Sequence, residues 1–346
     1  MRPQLRALAL RQGGLVTRAQ ARTAGYRGPE LRGLVAPRGA WVAVRRGVYV
    51  ERETWEVSSD LEQWILRDRA AHLATPVSHE LSHDSSARLL ALPLVGIRRD
   101  LTHVTRPDVQ GSRTEHGVKH HLGPVPSPRQ CIVDGLPVTG PARTALDVAR
   151  EHGLASGLAA CDAARRAGVA PADFGAELSL MAHFPGVVAA RSAADLADPR
   201  SENAAESLAR LLLLELDIGE VEPQFALRLG GHTVWCDLRV GNHVIEFDGR
   251  IKYRGRSEGG VAVKPAEQVV WEERQRERDI CALGLGMSRL VWSDLFGAAR
   301  LRAQQRLLAE YAVTVARFGT RLPGHLAAFS RRHSFDRVPA PRISAS

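Results

Sequence analysis

The chain has 346 residues, room for two or three domains, and 44% of them are apolar, which excludes general disorder. No apolar run approaches the roughly 18 residues of a membrane helix, and Met1 to Leu10 lack the apolar stretch and cleavage site of a signal peptide. The net charge of +9 favours a polyanionic partner, and Cys131, Cys161, Cys236 and Cys281, with no C-x-x-C pair, argue against a zinc or disulfide framework and for a reducing cytoplasm.

The positive charge is unevenly spread. Arginine carries nearly all of it, since lysine occurs only at Lys119, Lys252 and Lys264. Residues 1–52 hold many arginines and only two acids, Glu30 and Glu51. Leu5, Leu8 and Leu10 predict a short helix that ends at Gly13-Gly14. Thr17 and Gln20 have the spacing of a capping box, so a second helix runs from there to about Gly25. Pro29 predicts the first turn of a third helix, carrying Leu31, Arg32 and Leu34. Two short strands follow, Trp41–Val44 and Gly47–Val50, joined through Arg45 and Arg46. Helix, helix, turn, helix and basic hairpin predict a winged helix-turn-helix over residues 1–55. Its third helix would enter the major groove of double-stranded DNA, with Arg27 and Arg32 there and Arg45 and Arg46 of the wing meeting phosphates.

This stretch resembles the N-terminal domain of AbiEi-type antitoxins of type IV toxin–antitoxin systems. The shared features are Gly14-Leu15-Val16-Thr17, Ala21, Gly25, Leu31 and Arg46-Gly47-Val48-Tyr49. The resemblance implies DNA binding, transcriptional control and a cognate toxin as partner.

Residues 56–195 predict a middle α+β region. Leu61, Trp64, Ile65 and Leu66 continue a helix, and another starts at Val77 and reaches Leu92. Strand-like pieces follow at 101–104, 117–121 and 131–133, then a helix opened by Pro141 and a further one over Leu154–Ala167. "SHELSHDSSARLLALPL" and "VTGPARTALDVAR" resemble the corresponding region of actinobacterial AbiEi-type proteins. His79, His83, His103, His116, His120 and His121 gather here, but no ligand spacing repeats, so they read as surface and strand histidines rather than a metal site. Ala189–Pro199, small and polar, reads as a linker.

Residues 198–315 carry the chemistry. A helix begins near Ser201, with Glu202 and Glu206 on one face, and runs through the apolar stretch Leu208–Leu216. Strands at 225–229, 234–240 and 243–249 are separated by Gly230-Gly231 and Gly241-Asn242. A charged helix over Ala266–Leu283 and a strand over Met287–Trp292 follow. Asp237 lies mid-strand, and Glu246 and Asp248 share one face of the next strand by the period of two. Carboxylates in an apolar strand are costly unless paired or metal-bound, and an oxygen set of this kind suits Mg²⁺ or Mn²⁺.

The order helix, β-meander, helix, strand resembles the PD-(D/E)XK nucleases, the very-short-patch-repair group in particular. The carrying residues are Glu206, Asp237 and Glu246-Phe247-Asp248-Gly249, with Arg276-Glu277 and Arg289-x-x-Trp292. The resemblance implies metal-dependent hydrolysis of DNA: Asp237, Glu246 and Asp248 hold the ion, and Glu206 completes the site. Where the family places a lysine two residues after the glutamate, this chain has Asp248, so Lys252, or Arg274 or Arg276, would offset the developing charge.

The sequence therefore predicts an α+β and α/β multidomain protein. Its parts are a winged helix-turn-helix, a middle α+β region, a restriction-endonuclease-like core and a disordered tail over 331–346. The leading function is a DNA-binding, Mg²⁺- or Mn²⁺-dependent endonuclease. The alternative is a non-catalytic AbiEi-like antitoxin and regulator that reuses the nuclease fold. A nucleotidyltransferase is disfavoured because no Gly-Ser followed by Asp-x-Asp occurs. No membrane and no small-molecule cofactor beyond the metal are expected.

Overall fold

The computed structural model describes residues 1–96, 101–248 and 266–339. The chain divides into two compact units, one of Met1–Ala160 with Ala172–Ala193, the other of Cys161–Pro171 with Ala194–Ser346. Both are mixed α and β, as a multidomain α+β protein requires.

The first unit opens with α1 (Pro3–Arg11), β1 (Val16–Thr17), α2 (Arg18–Thr23), α3 (Gly28–Leu34), β2 (Trp41–Arg45) and β3 (Val48–Glu51). The strands form a sheet in the order β1-β3-β2. The capping box read from Thr17 and Gln20 is present: the Gln20 amide donates to Thr17 Oγ1 at 3.2 Å, and the Thr17 amide donates to Gln20 Oε1 at 2.8 Å. Gly47 turns the β2–β3 hairpin with φ +81, a conformation that most side chains resist. Leu5, Ala9, Val16, Ala21, Leu31 and Trp41 fill the core between helices and sheet. Leu8 and Leu34 pack against this core, Leu15, Val48 and Val50 join a second one with Leu66 and Ala70, and Leu10, read as part of the apolar period of α1, is exposed.

The rest of the first unit is built on a six-stranded sheet of order β6-β7-β5-β4-β9-β8. The chain passes through α4 (Arg52–Val57), α5 (Asp60–Ala74), β4 (Glu80–Leu81), α6 (His83–Leu89), β5 (Thr102–Arg106), β6 (Arg113–Glu115), β7 (Val118–Leu122), β8 (Cys131–Val133) and β9 (Leu136–Val138). Then come α7 (Pro141–His152), α8 (Leu154–Arg166), α9 (Pro171–Leu180) and α10 (Val187–Asp195), of which Cys161–Arg166, Pro171 and the last two residues of α10 fall in the second unit. Two expectations are corrected here. The helix expected from Val77 starts only at His83, because Leu81 pairs with Val104 on one side and Val138 on the other and is fully buried. Much of the stretch read as a linker is the helix α10, whose Ala190 and Ala193 are buried; small residues there serve packing rather than freedom.

The second unit holds α11 (Ala204–Leu216), β10 (Val221–Leu229), β11 (His232–Val240), β12 (His243–Asp248), α12 (Ala266–Ala282), β13 (Gly286–Val291), α13 (Gly297–Phe318) and α14 (Gly324–His333). Its sheet runs β10-β11-β12-β13, antiparallel through β12 and parallel between β12 and β13. A parallel step needs a crossover, which α12 lies within. Phe225, Leu227, Cys236, Val244 and Ile280 pack one core of this unit. Residues 331–339, expected as the start of the tail, are tied in: the Trp235 indole donates to the His333 carbonyl at 3.3 Å, and Arg337 pairs with Glu202 at 2.8 Å. The remainder of that expected tail, 340–346, lies outside the described residues.

Candidate functional site

The first 52 residues present a cationic surface. Arg18, Arg22, Arg27, Arg32 and Arg46 are exposed and make no ion pair among the described residues. Arg27 caps α3 through its backbone, donating to Glu30 Oε2 at 3.2 Å, which leaves its guanidinium pointing away from that duty. Arg2, by contrast, is consumed by Glu30 at 3.1 Å. Of the hairpin pair, Arg46 stands exposed in the turn, while Arg45 donates to the His116 carbonyl at 3.2 Å and has its pKa lowered by burial. Arg45 therefore anchors the hairpin to the turn between β6 and β7, and a phosphate would have to compete with that bond.

The carboxylates of the second unit separate into two settings. Glu206, in the first turn of α11, accepts from the Glu202 amide at 2.8 Å, from Asn203 Nδ2 at 2.6 Å and from Gln224 Nε2 at 3.0 Å. Burial, with the Asp237 charge second, raises its pKa to about 7. Asp237 Oδ2 accepts from the Phe247 amide at 2.7 Å. Glu246 accepts from Arg276 at 2.9 Å, and the same guanidinium group donates to the Trp235 carbonyl at 2.6 Å. Burial is the largest single influence and works against the Arg276 charge, but Glu246, Cys236 and Asp237 together outweigh it and the pKa rises. Arg289, expected to support the site, faces Glu277 at 3.6 Å. Asp248 ends β12, opposite Val291. Lys252 lies outside the described residues.

One local irregularity lies on the neighbouring strand. The β10–β11 register runs through Pro223↔Leu238 and Phe225↔Cys236, but the step between them, Gln224 against Asp237, is not paired. Gln224 has φ +52. The irregularity is confined to β10: the register is the same on both sides of it, and Leu238↔Ile245 sets Asp237 and Glu246 at the adjoining cross-strand position of β11 and β12. Among the described residues, the four carboxylates do not form a group of three within metal-ligating reach.

The group that does is one that spacing failed to reveal. His83, His103 and His121 each offer a ring nitrogen within 4.8 Å of the others. His83 opens α6 at φ +47, His103 sits on β5 and His121 on β7. The parallel pairing of β5 with β7 sets Thr105 beside His121 and so brings the two histidine-bearing strands together. Their rings stack, His83 on His121 at 3.6 Å between centroids and 12°. His103 Nδ1 lies 3.1 Å from His121 Nε2. Behind them, Asp84 lies 3.7 Å from His103 Nε2 and Asp147 3.7 Å from His83 Nε2. Burial lowers the pKa of all three histidines, that of His121 to about 2 with His103 adding to the effect, so the rings are neutral. His83 and His121 line a cleft of about 670 Å³ that Lys119, Arg143, Arg150 and Phe184 also border. Of the other histidines, His79 pairs with His72 at 3.0 Å, His116 turns the chain at φ +50, and His120 alternates away from its neighbour on β7.

Comparison with known families gives one match: residues 83–208 fit the family model of the AbiEi antitoxin C-terminal domain. This supports an AbiEi-type antitoxin. The match lies in the middle of the chain and begins beyond the 1–55 segment that carried the N-terminal resemblance. No curated protein matches the chain. No helix among the described residues is long and apolar enough to cross a membrane.

Proposed function

We propose that the chain is a non-catalytic antitoxin of the AbiEi type that binds double-stranded DNA through its first 52 residues and a cognate toxin through the region that follows. The observation that carries the reading is the match of residues 83–208 to the antitoxin C-terminal domain. The DNA-binding half is supported by the succession of α2, α3 and the β2–β3 hairpin, the order of a winged helix-turn-helix, and by the exposed Arg18, Arg22, Arg27, Arg32 and Arg46. In this reading the carboxylates of the second unit hold the fold: Glu206 caps α11 and binds Gln224, and Glu246 neutralises Arg276. The test is anisotropy of a labelled duplex from the chain's own upstream region, titrated with wild type and with Arg27→Ala/Arg32→Ala/Arg46→Ala. Binding that falls steeply with salt, and is weakened in the variant, is expected. Equal affinity for both proteins would remove the DNA-binding half, and failure of co-expression to relieve growth arrest by a type IV toxin would remove the other.

A second reading rests on the strand order β10-β11-β12-β13 with α11 before it and α12 at the crossover, the layout of a PD-(D/E)XK core. There Glu206, Asp237, Glu246 and Asp248 would hold Mg²⁺ or Mn²⁺ for phosphodiester hydrolysis, with Lys252 beside them. Cleavage of plasmid DNA that needs the metal and is lost in Glu246→Ala would establish it. The ion pair from Glu246 to Arg276 is the reason it stands second.

A further inference from the structure

We propose that His83, His103 and His121 form a binding site for a divalent transition-metal ion, zinc being the ion their chemistry suits best. The proposal is independent of whether the chain is an antitoxin. Neutral imidazole is a ligand for zinc, copper, nickel and iron, and three histidines with one open position are a recurrent zinc set.

The distances agree. Two nitrogens bound to one tetrahedral zinc at about 2.0–2.1 Å stand about 3.3 Å apart. His103 Nδ1 and His121 Nε2 stand 3.1 Å apart. One nitrogen from each of the three rings lies within 4.8 Å of the others, so closing on a common ion requires movements of at most about 1.5 Å.

The nitrogens that would not bind the ion already have partners of the right kind. His103 Nε2 faces Asp84 at 3.7 Å, and Asp84 is in turn fixed by His152 at 2.7 Å. His121 Nδ1 faces Ser112 Oγ at 3.5 Å. His83 has Ser82 Oγ at 3.0 Å from Nδ1 and Asp147 at 3.7 Å from Nε2, so either tautomer leaves one nitrogen for the ion. Carboxylates and hydroxyls behind ligating histidines are what set ring tautomer and raise ligand basicity. The fourth position opens toward the cleft that His83 and His121 border, so a water or an anionic group can enter there. A stack of three neutral rings with no ion is the competing account, and it predicts no metal response.

The full chain, stripped with chelator and dialysed, is titrated with Co²⁺ and followed by visible absorption. A three-histidine tetrahedral site gives intense d–d bands that saturate at one equivalent and are displaced by Zn²⁺. His121→Ala should weaken Co²⁺ binding by more than about 100-fold, and Asp84→Asn, acting through His103, by about 10- to 100-fold. His79→Gln, in the separate His72–His79 pair, should leave the affinity unchanged. If His121→Ala does not fold, wild type alone decides through its spectrum and through the zinc retained on purification without chelator. Absence of the bands and of retained zinc, or equal affinity in a folded His121→Ala, overturns the site. Loss of binding in His79→Gln instead would assign the ion to the other pair and overturn it equally.

Discussion

The four-stranded and the six-stranded sheet each hold a polar cluster, and they neutralise it in opposite ways. In the four-stranded sheet the carboxylates are met by donors: Arg276 serves Glu246, and the Phe247 amide serves Asp237. In the six-stranded sheet the carboxylates Asp84 and Asp147 stand behind imidazoles that burial keeps uncharged. A buried ion pair is complete once its geometry is met, whereas a neutral nitrogen with a lone pair still has bonding capacity. The contrast explains why the histidines, and not the acidic strand residues, are the better candidates for a ligand site.

The largest expected effect strikes the histidine side. Asp147 is fully buried and holds Arg143 at 2.7 Å and Arg150 at 2.5 Å as well as facing His83. Asp147→Ala strands two arginines, one of them buried, and should cost about 3–5 kcal/mol in urea unfolding. A loss below about 1 kcal/mol would show that water reaches Asp147, and the picture of a dry histidine cluster would fail with it.

Glu206 gives the next effect, through pH. Its pKa is raised from 4.5 to about 7 by burial and by Asp237, so the folded state holds a proton that the unfolded state has released. Stability from this group is therefore full below about pH 4.5 and is lost as pH rises through about 7. The fall amounts to roughly 3 kcal/mol, since each pKa unit is worth about 1.4 kcal/mol. Denaturation midpoints of Glu206→Gln at pH 5 and pH 8 should differ less than those of wild type. A wild-type profile as flat as that of the variant would mean that Glu206 is ionised in the fold, as a metal-bound carboxylate would be.

Glu246→Ala is expected to cost less, about 1–2 kcal/mol, because Arg276 keeps 38% of its side chain in solvent. Mn²⁺ should shift the melting temperature of neither protein. A rise of wild type alone with Mn²⁺ would return the carboxylates to the metal-binding account and reverse the contrast between the sheets.

What was legible in the sequence follows the range over which each signal acts. Capping of α2 by Thr17 and Gln20 and the strand limits around Gly230-Gly231 and Gly241-Asn242 are set by neighbours in sequence and appear where expected, while the hairpin turn, expected at Arg45-Arg46, falls one residue later at Arg46-Gly47. The register Leu238↔Ile245 places Asp237 opposite Glu246, but a period of two says nothing of the pairing of Glu246 with Arg276 or of the left-handed backbone at Gln224 on β10. Gln224 is neither glycine nor asparagine, so nothing in its type announces a left-handed backbone. The histidine cluster was invisible for a different reason. His83, His103 and His121 meet only because a helix N-terminus and two parallel strands converge, and parallel pairing leaves no short-range spacing to read. The one local hint was the adjacent His120-His121, of which alternation lets only one face the cluster.

The smallest effect lies on the DNA side, and it sharpens the same distinction between groups with spare capacity and groups already bound. Arg45 and Arg46 are adjacent in sequence, and each carries one positive charge on the hairpin. Arg46 is exposed, with no partner among the described residues, while Arg45 spends its guanidinium on the His116 carbonyl. If Arg46 meets a phosphate, Arg46→Ala should reduce the slope of log affinity against log salt by about 0.9, the release of one counterion. Arg45→Ala should change that slope by less than half as much and act mainly through hairpin position. The measurement is duplex anisotropy at several salt concentrations for both variants and wild type. Equal slope changes for the two would mean that the bond to His116 is given up on binding, and that the hairpin leaves its anchor when DNA arrives.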